Sequence, residues 1–171
     1  MCDIDLLIHA KDISLCRAWL QENGYKELDL SKWAGDDFKY MFAKDYKEIE
    51  INIEIHTKLF WHTDSSVISA NTSEKSEGYD FLTLEENFVH LVGHLGLQHT
   101  LYKLNWFFDI YLLVDKYKDE INWQKVEELV RELRLVRSYN LILWILNSYF
   151  YDKKTLNPIG VPSKYIRILV T

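Results

Sequence analysis

Asp3 and Asp5 stand one residue apart at the start of the chain, in the run Asp3-Ile4-Asp5-Leu6-Leu7-Ile8. Side chains alternate between the faces of an extended strand, so both carboxylates project from one face with their backbones ~7 Å apart. A third acid, Glu54, lies in a stretch where Ile49, Ile51, Ile53 and Ile55 alternate with Glu48, Glu50, Asn52 and Glu54. That period of two describes a strand with one apolar and one acidic face, and isoleucine favours the extended state. If the two strands are neighbours, Asp3, Asp5 and Glu54 make a three-carboxylate cluster. Hard oxygen ligands of this kind suit Mg2+, which keeps several waters and is usually shared with substrate phosphates. The chemistry implied is metal-dependent work on a nucleotide. An isolated D-x-D is more often only solubilising, so the elements around it decide its meaning.

Ile4 to Ile8 read as a strand. Asp12 is positioned to cap a following helix in which Ile13, Cys16, Trp19 and Leu20 recur at helical spacing, and Gly24 falls where a left-handed residue commonly ends a helix. Residues 38–43 form a second strand, and Asp45 to Lys47 a polar turn into the third, Ile49 to Ile55. From Trp61 to Tyr79 the composition turns polar, as in a loop or lid. Thr83 and Glu86 have capping-box spacing, predicting a helix to about Thr100. A helix from Leu104 to Tyr117 is apolar almost all round, which implies burial on several sides. An amphipathic helix carries Trp123, Val126, Leu129, Val130 and Leu133, and another runs from about Val136 to Phe150. The expected architecture is α+β: a small, incomplete mixed sheet followed by a four-helix bundle. Its expected parts are a strand and helix lobe over 1–60, a polar loop over 61–80 and a helical lobe packed on the first over 81–171.

Lys and Arg number 20 against 26 Asp and Glu, a net charge of −6, and no run is basic enough for general nucleic-acid binding. Metal-bridged binding of a nucleotide remains compatible with that balance. Cys2 and Cys16 make no disulfide framework and no C-x-x-C pair, which fits reduced thiols. No basic-then-apolar leader and no uncharged run of spanning length is present. The expectation is a soluble cytoplasmic protein with no membrane partner.

The order of the pieces is itself informative: the D-I-D-L-L strand, Gly24-Tyr25 after the first helix, Glu54-Ile55-His56 at a strand end, a helix bearing His90, His94 and His99, then Leu104-Asn105-Trp106 to Asp109-Ile110 and Asn122-Trp123. This layout resembles the bacterial uncharacterised nucleotidyltransferases, a family of the polymerase-beta-like nucleotidyltransferase superfamily, over nearly the whole chain. The resemblance implies that Asp3 and Asp5 bind two metals, Mg2+ or Mn2+, and that Glu54 completes one site and helps remove a proton. It implies a nucleoside triphosphate as donor and leaves the acceptor unnamed. Family members carry a further strand, a glycine-containing phosphate turn and a helix upstream of D-I-D, and this sequence has no counterpart of them. A sheet short of that strand would have an open edge, compatible with a homodimer. A non-catalytic interaction or regulatory module that keeps the fold is the competing expectation.

His90 and His94, four apart, share a helix face with Leu97 and Leu101, whereas His99 falls with Phe88, Val92 and Leu95. Such a pair could bind a transition metal, but no further ligand spacing accompanies it. His94 and His56 are instead candidates for contact with nucleotide phosphate, as is Lys103, with Arg137 behind it. Asp109, in an apolar helix, is expected to be buried and paired. Trp106, Phe107, Phe108, Trp123 and Trp144 are expected in the helix-bundle core rather than on a base-stacking platform.

Overall fold

The computed structural model describes residues 3–29, 38–63, 75–76, 79–98, 101, 104–151, 156 and 159. The chain divides into two compact units, Met1–Ile68 and Ser69–Thr171. The fold is α+β, a mixed sheet followed in sequence by helices.

In the first unit, β1 (Asp3–Leu7) leads through a 3-10 turn, Ala10–Asp12, into α1 (Ile13–Glu22), and the sheet is completed by β2 (Lys26–Leu28), β3 (Lys39–Tyr46) and β4 (Ile49–His56). The strand order is β1-β4-β3-β2, with β1 parallel to β4 and the other two pairs antiparallel. Asp12 stands at the helix start without a side-chain cap bond, because the 3-10 turn already carries the chain into the helix. Gly24 ends α1 with φ +83°, where a Cβ would be strained. Lys44 donates to the Asn23 carbonyl at 2.7 Å, a cation at the negative end of the helix.

The isoleucine alternation works as its period requires. Ile53 and Ile55 pack with Phe42 and Leu20 of α1 into the core of this unit, with Ile13, Cys16, Tyr40 and Ile51 around them. Burial of each such side chain is worth roughly 1.5–3 kcal/mol. Ile49, at the far end of the strand, is exposed. At the other edge β2 pairs Lys26–Leu28 with Ala43–Met41 of β3, a strand the periodicity does not signal. The β3–β4 turn is Lys47-Glu48, both at positive φ (48° and 68°), one step later than the polar run predicts. Tyr46 pairs with Ile49 across it, so this is a two-residue hairpin whose turn matches strand twist.

In the second unit, β5 (Lys75–Ser76) and β6 (Tyr79–Asp80) form a small antiparallel pair. It falls where a polar loop or lid is expected, most of which lies outside the described residues. The helices are α2 (Leu84–Gly93), α3 (Leu104–Tyr117), α4 (Trp123–Glu132) and α5 (Val136–Tyr149). Thr83 caps α2 through the full capping box with Glu86. Rather than continuing as an α-helix toward Thr100, α2 passes into π-helical turns at His94–Gln98. There the backbone comes so near α5 that a Cβ on Gly96 would lie 2.5 Å from the Ser138 Cβ. His99 and Thr100 are outside the described residues.

Phe88, Val92, Ile110, Val114, Val130, Tyr139, Ile142 and Leu146 fill the helical core. Asn140 clamps the backbone of Ile159, donating to its carbonyl at 2.6 Å and accepting its N–H at 2.7 Å. Helix α3 is not buried all round. It buries Phe107, Ile110 and Val114 but leaves Leu104, Phe108 and Leu112 exposed. Asp109 is exposed too, so the expectation of a buried, paired carboxylate is corrected. Trp106, Trp123 and Trp144 are half-buried. No helix among the described residues is long and apolar enough to cross a membrane.

Two predictions test these local devices. Replacing Lys47 by Asn and Glu48 by Gly relieves positive φ, and urea unfolding should show a gain of about 0.5–1 kcal/mol. Glu85 accepts the Asn122 N–H at 2.9 Å and faces Lys125 at 3.6 Å, tying α2 to the start of α4. Against the effect of burial, these bonds hold its carboxyl below the ordinary range. Glu85→Ala should therefore cost ~1–3 kcal/mol at neutral pH. A lowered folded pKa gives stability that is complete above the unfolded pKa, so the charge-dependent part of this loss should vanish as pH falls through the folded value.

Candidate functional site

The candidate site residues of the first unit lie on the sheet face opposite α1. Parallel pairing sets Asp3 against Asn52, Asp5 against Glu54 and Leu7 against His56. Antiparallel pairing on the other side sets Lys39 against His56 and Met41 against Glu54. Because alternation is strict, Asp5, Glu54, His56 and Lys39 share one face while Ile53, Ile55 and Phe42 occupy the other.

The four side chains form a line of alternating charge type. Lys39 Nζ lies 2.5 Å from Glu54 Oε2. His56 Nε2 lies 3.5 Å from that same oxygen and 3.0 Å from Asp5 Oδ1. A carboxylate only accepts hydrogen bonds, so His56 Nε2 must carry the proton. The Glu54 side chain is 11% exposed, that of His56 15% and that of Asp5 55%. The cluster is thus closed at Glu54 and open to solvent at Asp5.

These contacts set the protonation states. The bond from His56, joined by Lys39, holds the Glu54 carboxyl below its ordinary range although burial and the neighbouring Asp5 push it up. Burial pulls the His56 imidazole down, but its bonds to Asp5 and Glu54 outweigh that and leave it above the ordinary histidine value.

The donor set fits a divalent cation. One ligand atom each from Asp5, Glu54 and His56 lie within 4.8 Å of one another, the one such group of three among the described residues. Two carboxylate oxygens suit Mg2+ or Mn2+; His56 adds a nitrogen ligand only after Nε2 gives up its proton, which would widen the choice toward Mn2+ and other transition ions, and Asp5 is open to solvent.

Of the residues singled out from sequence, the fold brings Asp5, Glu54 and His56 together. Asp3 opens β1 two residues before Asp5, and its side chain lies outside the described residues, as does Lys103. His94 belongs to the other unit, where its ring lies 5.0 Å from Trp106 and 5.5 Å from His90. Lys39 escaped the sequence reading. Counting back along β3 from the Lys47-Glu48 turn would have found it opposite His56, since a two-residue hairpin fixes the register.

A family model described as uncharacterised nucleotidyltransferase matches residues 1–151. The chain belongs to that family. No curated protein and no solved structure gives a significant match. Membership in the nucleotidyltransferase family accords with the acidic face just described, and Asp5, Glu54 and His56 form a candidate site for the divalent metal such enzymes typically use.

The cluster can be tested by titration. His56 should titrate above the ordinary histidine value when followed by proton NMR, and Asp5→Asn should move it down. Its raised pKa means the bond to Asp5 contributes fully below the unfolded value and is lost as pH rises through the folded one. A His56 resonance unmoved by Asp5→Asn would refute the geometry.

Proposed function

We propose that this protein transfers a nucleotidyl group from a nucleoside triphosphate to a hydroxyl-bearing acceptor on the Asp5–Glu54 face, with Mg2+ or Mn2+ as cofactor. The observation that carries the proposal is the register of β1 with β4, which sets Asp5 opposite Glu54, in a chain of the nucleotidyltransferase family. We assign Asp3, Asp5 and Glu54 as the carboxylates that hold the metal. When bound, the metal supplies positive charge that lowers the pKa of the acceptor hydroxyl and neutralises charge on the phosphates.

In the transfer, the acceptor oxygen forms a bond to the α-phosphorus. The bond from that phosphorus to the oxygen bridging toward the β-phosphate breaks, and pyrophosphate leaves with the electron pair. Glu54 takes the hydroxyl proton. His56 orients Asp5 through the 3.0 Å contact, and among His56, His94 and Lys103 we assign His56 to the cluster for that reason. β1 is a terminal strand of the sheet, which supports its pairing with a second copy of the chain.

The test is calorimetric binding of each of the four common nucleoside triphosphates with Mn2+ present or chelated, followed by pyrophosphate release. Wild type should bind at least one triphosphate only with the metal. Asp5→Asn and Glu54→Gln, checked for intact fold by circular dichroism, should each weaken that binding by ~10-fold or more. Absence of metal-dependent binding to any of the four would overturn the proposal and favour a non-catalytic module.

A further inference from the structure

Lys39 has no part in the assignments above, yet it makes the shortest contact in the cluster. Its ammonium sits on Glu54 Oε2 at 2.5 Å, and its side chain is 31% exposed. The same oxygen faces His56. An ammonium at that distance occupies one of the lone pairs through which Oε2 could bind a divalent cation. Two positive centres on one oxygen repel strongly at a site as closed as Glu54, so Lys39 and a metal compete for it. The partly exposed lysine is free to move: four rotatable carbons carry a compact point charge that suits phosphate oxygens.

We propose that Lys39 is the resident counter-cation of Glu54, that a divalent ion displaces it, and that the released ammonium then contacts the polyphosphate chain of the metal–triphosphate complex. This rests on the metal-dependent reading of the Asp5–Glu54 face. Lys39 accordingly opposes metal alone and favours metal with polyphosphate. It links the two binding events, so that the metal is held tightly only when the polyanion comes with it. A lysine that merely buttressed Glu54 would affect both in the same direction.

That difference of sign is the test. Full-length wild type, Lys39→Met, Lys39→Gln, Lys39→Arg and Asp5→Asn are titrated with Mn2+ alone, followed by electron paramagnetic resonance of the free ion. They are then titrated with preformed Mn2+·tripolyphosphate by calorimetry. Lys39→Met and Lys39→Gln should bind Mn2+ alone ~3- to 10-fold more tightly than wild type and Mn2+·tripolyphosphate ~10-fold more weakly, with Lys39→Arg within about threefold of wild type for Mn2+ alone. If Asp5→Asn loses Mn2+ while both neutral variants leave metal affinity unchanged or weaken it, the Lys39 inference is wrong and the metal reading stands. If Asp5→Asn binds Mn2+ like wild type, or wild type binds none, the metal reading fails and takes the inference with it.

Discussion

The in-register pairing of β1 with β4 is the constraint on which the site depends. Period-two alternation makes register an all-or-none matter. A slip of one residue would carry Asp5 to the α1 face and put Ile4 and Leu6 beside Glu54. Several contacts prevent that slip. Ile53 and Ile55 are anchored against Phe42 and Leu20, and the Ile8 N–H extends the ladder to the His56 carbonyl at 2.9 Å. The Lys47-Glu48 turn then fixes β3, and with it Lys39, relative to the same strand. Apolar packing on one face of the sheet therefore specifies charge placement on the other.

That placement would be unfavourable without its cations. Two carboxylates on adjacent strands repel; unit charges 4 Å apart interact by about 4 kcal/mol at an effective dielectric constant of 20. Glu54 is also largely removed from water, which disfavours its ionised form. Lys39 and His56 offset both costs, and the lowered Glu54 pKa is the result. The cluster is thus stable as it stands while holding two carboxylates close together. Under the proposed function a divalent ion would take over the neutralising role of Lys39, so the arrangement would suit a metal-loaded state as well.

The sequence exposed those features that local chemistry determines. The isoleucine alternation, Gly24 at the end of α1 and the Thr83 capping box each involve a few consecutive residues, and each has its expected form. What it concealed depends on non-local partners. Lys39 looks like any surface lysine until the hairpin register sets it opposite His56. His56 reads as a phosphate contact until its two carboxylate neighbours make it part of their cluster. Asp109 sits in a helix whose all-round apolar pattern signals burial, whereas α3 buries Phe107, Ile110 and Val114 and leaves Asp109 exposed. The π-helical turn at Gly96 similarly reflects the closeness of Ser138, forty-odd positions away, which helical spacing cannot register.

Charge explains why a metal would accompany a nucleotide here. The chain carries a net charge of −6, and a triphosphate is a polyanion. At physiological ionic strength, charges beyond ~8 Å are largely screened, so the groups around Glu54 matter more than the total. Asp5 and Glu54 contribute two negative charges, and Lys39 with a protonated His56 at most cancels them. A bare site is therefore neutral at best and offers a triphosphate little net attraction, the more so because Lys39 is engaged with Glu54. A divalent ion would add two positive charges and, on the proposal that it displaces Lys39, would free the lysine as well, changing the local balance by more than its own valence suggests. On the proposed reading the carboxylates would bring positive charge to the site, while Lys39 and His56 offset their mutual repulsion without it.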